Sequence, residues 1–244
     1  MDSNLLKHIN IVLVRPQHAG NIGAVARSIA NHGLGRLVLV DPPHFDPERA
    51  RWMAPNAHHI INNALFTKNI PDALSDRELV IATTARGRSW DIPYLTLPEF
   101  RAHAHSTIPT ALMFGPEDSG LSNQDLSYAH VFLNLPTEAH HSLNLSQAVN
   151  ICGAHLLSAH NEDLPQAQPP TSQAGIAHKL QLSTIESTLN VLEQCHYLVN
   201  RNPDQIRGQM LRIAQRAQLT HQESANLKGM ANKVFHTLRV LKEQ

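Results

Sequence analysis

The chain has only two cysteines, Cys152 and Cys195, with no partner at short spacing. A disulfide framework is therefore not expected, a CxxC zinc site is excluded, and a reducing compartment fits. Aromatic residues make up only 5% of the 244 residues. No apolar run approaches the roughly 20 residues of a membrane span. Met1 to Asn10 lacks the basic, apolar, small-residue order of a secretory signal, so a soluble cytoplasmic protein is expected. There is no Gly-x-Gly-x-x-Gly after the first strand-like run, no Walker lysine motif and no Gly-x-Ser-x-Gly elbow. These absences disfavour dinucleotide, nucleoside-triphosphate and serine-hydrolase sites. The histidine pairs His58-His59 and His140-His141, and His103 with His105, have no carboxylate or cysteine companions at metal-ligand spacing, so no metal is expected.

Net charge is also lacking, with 20 basic residues against 20 acidic ones, but the balance is uneven along the chain. From Thr171 onward nine Lys/Arg face five Asp/Glu, a surplus of four that points to an anionic partner for this part. The 42% hydrophobic content supports a substantial core. Its pattern is short apolar runs alternating with helical periodicity: strands at Ile9–Val14, Leu37–Val40, Leu79–Thr83, Thr110–Phe114 and Val131–Leu135, and a possible strand around Ile60–Phe66. Such alternation predicts an α/β domain with a mainly parallel sheet covered on both faces.

Two helices matter most. Ile22, Val25, Ala26, Ile29 and Ala30 predict a helix after Asn21, its expected N-cap, ending at Gly33. Arg27 lies off its buried stripe, with only Gly23 and Ala24 in the turn before it. Leu145, Ala148, Val149, Cys152 and Leu156 predict a second helix, capped by Ser142. Short helices are expected over Glu48–Met53, Pro71–Asp76 and from Leu121, the last with Ser122 as N-cap and Asp125 in its first turn. The Pro- and Gln-rich stretch 161–174 reads as a linker. Beyond it three helices are expected over 175–244, with Pro203 at a first helical position and a capping box at Thr220–Glu223.

Three stretches carry chemistry: Gly20-Asn21-Ile22-Gly23-Ala24-Val25-Ala26-Arg27, then Leu112-Met113-Phe114-Gly115-Pro116-Glu117-Asp118-Ser119-Gly120-Leu121, then Ser142-Leu143-Asn144-Leu145. In this order and spacing they resemble the three motifs of the SpoU branch of the SPOUT superfamily of RNA methyltransferases. The likeness is strongest to its TrmJ-type members, which methylate the ribose 2'-oxygen of cytidine or uridine 32 in tRNA. The resemblance implies a trefoil knot in the sheet domain, S-adenosylmethionine as methyl donor, a tRNA substrate and a homodimer. It implies catalytic roles for Arg27, Ser142 and Asn144. It implies donor contacts by Thr83, Thr84, Ala85, Gly115, Leu135, His141, Ser142 and Leu143. Asn21, Arg27, Arg86 and Arg88 are the expected RNA contacts, with Glu117 and Gly120 structural. The extension over 175–244 resembles the RNA-binding addition of the TrmJ type, which smaller relatives lack. Two departures bear on the RNA contacts: Pro116 stands where a basic residue commonly follows the glycine, and His140-His141 precede Ser142 where Tyr-Ser or Ser-Ser is common. A SPOUT enzyme of rRNA and a non-catalytic RNA-binding module are the alternative readings.

Overall fold

The structure, a computed structural model, describes residues 5–84, 92–138, 143–159, 178–217 and 219–242. Seven strands form one sheet: β1 (Ile9–Val14), β2 (Leu37–Val40), β3 (Leu65–Thr67), β4 (Leu79–Thr83), β5 (Tyr94–Leu95), β6 (Thr110–Phe114) and β7 (Val131–Leu133). Their spatial order is β3-β2-β1-β6-β4-β7-β5, and every adjacent pair is parallel. The central strands are buried along their whole length, β1 reading Ile-Asn-Ile-Val-Leu-Val with six buried residues. That is why they show as unbroken apolar runs rather than alternating ones.

The helices divide between the two faces. α1 (Ala19–His32), α2 (Pro47–Trp52), α3 (His58–Asn62), α5 (Leu97–Ala102) and α7 (Leu145–Ser158) cover one face, where Ile22, Ile29, Phe100 and Val149 join Leu13, Leu39 and Phe114 in the larger core. On the opposite face α4 (Ile70–Ala73) and α6 (Asn123–Leu126) pack on Val12, Val38, Val80 and Phe132. Central strands covered on both sides make the α/β class expected from the sequence.

Several local expectations change. α1 starts at Ala19, so Asn21 lies in its first turn and His18 is the N-cap, without a side-chain cap of its own. Ala30 is exposed, whereas Ile22, Val25, Ala26 and Ile29 are buried. The N-cap of α7 is Asn144, whose side-chain oxygen accepts from the Ser146 amide at 2.9 Å; Ser142 lies outside the described residues. Residues 58–62 are helix, and only 65–67 form a strand. β7 stops at Leu133, before Pro136. β5 and α5 were not expected: β5 is two residues long, and its pairing to β7 is what makes it a strand, whereas α5 opens on a Thr96–Glu99 capping box, a sequence signal that was missed. The Gly33 C-cap is left-handed (φ 65°), as a glycine there allows.

Three helices follow: α8 (His178–Gln194), α9 (Pro203–Ala217) and α10 (His221–Lys242). Their starts follow local chemistry. Asn202 accepts from the Asp204 amide at 2.9 Å, and Thr220 and Glu223 close a capping box. Leu182, Ile185, Leu189 and Leu211 form a small core that reaches Tyr128 of the α/β domain. Arg207 clamps this junction. It pairs with Glu186 (2.7 Å) and Asp204 (2.5 Å) and lies 5.8 Å from the Tyr128 ring centre. The expected linker, 161–174, lies outside the described residues.

Candidate active site

A cavity of about 330 Å³ opens at the C-terminal ends of β4, β6 and β7. This is the edge where ligands bind in parallel α/β sheets. Its walls come from separate parts of the chain: Thr83 and Thr84 after β4, the 114–121 turn after β6, Leu135 and Thr137 after β7, and Leu143, Leu145 and Ala148 at the start of α7. The leucines make an apolar side, and Glu117, Asp118 and Ser119 make a polar one.

The turn after β6 is folded tightly on itself. A Cβ at Gly115 would lie 2.2 Å from the Leu121 amide nitrogen and 2.3 Å from the Gly120 carbonyl carbon. Gly120 has φ +68°. Glycine at 115 is thus required by the turn's own backbone before any ligand is considered. Ser122 and Asp125 then cap α6 reciprocally, and the buried Asp125 also holds Arg15, at the end of β1.

Glu117 ties this turn to α1. Its carboxylate accepts from the backbone amides of Gln17 (2.9 Å) and His18 (3.2 Å) and from Asn21 Nδ2 (2.9 Å). It anchors the segment that enters α1 and, through Asn21, the helix's first turn, from about a hundred residues away in sequence. Burial works to raise its pKa, but the bonds from Asn21, Gln17, its own amide and His18 outweigh that and hold it below the ordinary glutamate value. Asp118, fully exposed, is held low by the Gln17 side chain and Ser119. Asn21 also passes the link on. Its Oδ1 accepts from Asn144 Nδ2 at 3.2 Å, so the cap of α7 joins the same network. Further along the two helices, Ser28 donates to Asn150 (3.2 Å), and His32 packs so closely that a Cβ at Gly153 would meet its ring at 2.7 Å.

Of the residues singled out in the sequence, Thr83, Thr84, Gly115, Glu117, Gly120, Leu135 and Leu143 line one cavity. Asn21 and Asn144 join it through Glu117. Arg27 does not. It is exposed, makes no side-chain hydrogen bond or ion pair among the described residues, and is absent from the lining. Six residues past Asn21, it lies roughly 120° round the helix from the stripe that carries Asn21 and Ser28 toward α7. Nor is the turn before it open: a Cβ at Gly23 would lie 2.1 Å from the Ala50 carbonyl oxygen and 2.8 Å from Met53 Cβ. α2 fills that space. Ala85, Arg86, Arg88, His141 and Ser142 lie outside the described residues. Sequence reasoning missed Arg15, Gln17, Asp118 and Thr137; only Asp118, beside Glu117 in the second motif, carried a signal that could have marked it. Among the described residues no cluster of three His, Cys, Asp or Glu side chains is placed to hold a metal, and no helix is long and apolar enough to cross a membrane.

Residues 8–154 match the profile of the SpoU rRNA Methylase family. The chain is 32% identical over 241 residues to the tRNA (cytidine/uridine-2'-O-)-methyltransferase TrmJ of Sodalis glossinidius, covering 96% of this chain and 93% of that one. It is 32% identical over 238 residues to the protein of the same name from Pectobacterium atrosepticum, covering 96% and 99%. The crystal structure of TrmJ from Z. mobilis superposes with a TM-score of 0.76 at 26% identity, covering 92% of this chain and 98% of that one. With a parallel sheet, a cavity built from the second and third motifs, and likeness extending over nearly the whole length, the chain belongs to the SpoU methylase family.

Proposed function

We propose that this chain transfers a methyl group from S-adenosylmethionine to the ribose 2'-oxygen of cytidine or uridine 32 in the anticodon loop of tRNA. In this reading it works as a cytoplasmic homodimer, with the donor held in the trefoil-knotted part of the α/β domain. Family membership and the names of its relatives support the reaction and the tRNA substrate. The observation that carries the reading is the single carboxylate, Glu117, that joins the cavity wall, the first turn of α1 and, through Asn21, the cap of α7.

The cavity suits the donor. Its volume of about 330 Å³ lies in the range of small-ligand sites. Leu133, Leu135 and Leu143 offer faces for a purine, the 115–120 turn offers backbone groups, and Glu117 and Asp118 place negative charge where a cationic ligand would lie. S-adenosylmethionine supplies, when bound, an electrophilic methyl on a sulfonium. The chain's own residues must then hold a 2'-hydroxyl in line and take up the charge that develops as it loses its proton. Asn144 and Ser142 orient that hydroxyl in this reading, and such positioning supplies at best about 7–11 kcal/mol. Arg27, a cation with five donors, stabilises the developing alkoxide; as a guanidinium it stays protonated and is not itself the base. Because Arg27 stands off the cavity lining of its own chain, we assign it to the cavity of the twin subunit. The extension adds tRNA contacts through basic residues other than Arg207, whose guanidinium is taken up at the domain junction.

The test is transfer of labelled methyl from S-adenosylmethionine to bulk tRNA and to rRNA, with mapping of the modified ribose. Label at the 2'-oxygen of residue 32 is expected. Label confined to rRNA would change the substrate and keep the chemistry. Absence of label in either RNA, with donor binding intact, would overturn catalysis in favour of an RNA-binding module.

A further inference from the structure

The face of α1 that carries Arg27 is occupied by α2, and α2 places an unusual set of side chains in the open. Gly20, Gly23 and Arg27 follow one another at helical spacing and share a stripe. Met53 seats against Gly20 (3.8 Å) and Gly23, and the Ala50 carbonyl fills the notch at Gly23, so α2 is fixed in place beside the first two turns of α1. Asp46 accepts from the Glu48 and Arg49 amides and caps α2. On this rigid support Trp52 is 82% exposed, the most exposed of the large hydrophobic side chains among the described residues. Arg49, one turn before it, is exposed, and like Arg27 its guanidinium makes no hydrogen bond or ion pair among the described residues. On α2 itself Glu48 pairs with Arg51 and Asp46 is taken up by the cap, and α1 has no acidic residue at all.

An indole left in water on a fixed helix, one turn from the unpaired guanidinium of Arg49 and on the helix that packs against the Arg27 stripe of α1, matches a single-stranded RNA loop. Every base has a π-face to stack on, and the flanking phosphates suit arginine. A protein partner is favoured less, because only Trp52 and Met53 are apolar here, and of the charges beside them the acidic ones are taken up by Arg51 and the helix cap while the Arg49 guanidinium is unpaired among the described residues. We propose that Trp52 is a stacking platform for an unpaired base of the RNA, with Arg49 as a phosphate contact, and that together they seat a loop nucleotide next to the ribose that Arg27 addresses. The inference rests on the reading of the chain as an RNA methyltransferase.

The experiment reads RNA binding separately from methyl transfer. In a Trp90→Phe background Trp52 is the only indole, since the chain has two tryptophans. Titration with tRNA should quench its fluorescence. Trp52→Ala should weaken tRNA binding about tenfold or more, as loss of a stacked base does, and leave the Kd for S-adenosylmethionine unchanged. Trp52→Phe, which keeps a π-face, should restore most of the binding, whereas Trp52→Leu, equally apolar, should not. Arg49→Ala should reduce the salt dependence of binding. The proposal is overturned if tRNA is bound and methylated with no quenching and no loss in Trp52→Ala. It is also overturned if Trp52→Ala turns a dimer into a monomer in sedimentation, which would make the indole a contact to a second copy. Normal methylation alongside either of those results would leave the enzymatic reading standing. No binding of any RNA would sink both.

Discussion

Removing the Glu117 carboxylate should loosen the donor cavity and the start of α1 together. Three hydrogen bonds end on it, two of them from backbone amides. A hydrogen bond to a charged group contributes about 1.5–3 kcal/mol when buried. Glu117 is only part-buried and water can replace some of its bonds, so we expect Glu117→Ala to cost about 2–3 kcal/mol in total. For a chain of this length that lowers Tm by about 4–12 °C. The turn 115–120 loses its tether to α1, so the Kd for S-adenosylmethionine should rise about tenfold, which corresponds to about 1.4 kcal/mol. Thermal melting by circular dichroism and calorimetric titration of the donor read the two effects separately. The pH dependence adds a signature. The folded-state pKa lies below the ordinary value of 4.5, so the carboxylate's contribution is complete above that value and is lost as pH falls through the folded pKa. The gap in Tm between wild type and Glu117→Gln should therefore be full at neutral pH and shrink in the acid range below 4.5. A Tm change below about 1 °C in Glu117→Ala, with donor affinity intact, would refute the assignment of Glu117 as the tether.

Gly23→Ala should be among the most damaging single methyl additions, costing about 3 kcal/mol in urea denaturation, because the new Cβ meets backbone at Ala50 that cannot swing aside. Arg207→Ala should cost about 2 kcal/mol and speed proteolytic release of the α8–α10 region, and Arg207→Lys should rescue little, since one ammonium cannot serve Glu186 and Asp204 at once. Ellman titration should find one reactive thiol in the folded protein and two in urea: Cys195 is exposed, whereas Cys152 is buried with its pKa pushed up by desolvation. If Arg27 serves the twin's cavity, mixing inactive Arg27→Ala with inactive Asn144→Ala chains and letting subunits exchange should restore about a quarter of wild-type turnover. An arginine acting within its own chain would restore none.

What the sequence determined by itself is what a few consecutive residues can encode. The unbroken apolar runs of β1, β2, β4 and β6 report burial on both faces. The spacing of Ile22, Val25, Ala26 and Ile29, and of Leu145, Val149, Cys152 and Leu156, reports one buried helix stripe each. Caps at Ser122, Asn202 and Thr220 close over three residues and were legible for that reason. The three motifs marked the cavity's turn and most of its lining. Tertiary structure decided the rest. The entry to α1 is anchored by Glu117 of the turn after β6, and the helix starts at Ala19 with His18 as N-cap, so local rules placed the cap wrongly at Asn21. Gly23 looked like an open approach for Arg27 and is filled by α2, which enters from a later part of the chain. Arg207 counted only as part of the basic surplus of the extension and is a clamp between Tyr128, Glu186 and Asp204. In each case the deciding partner lies many residues away or on another element. Local periodicity and capping set which elements form, but only the packing of those elements fixes which side chains meet.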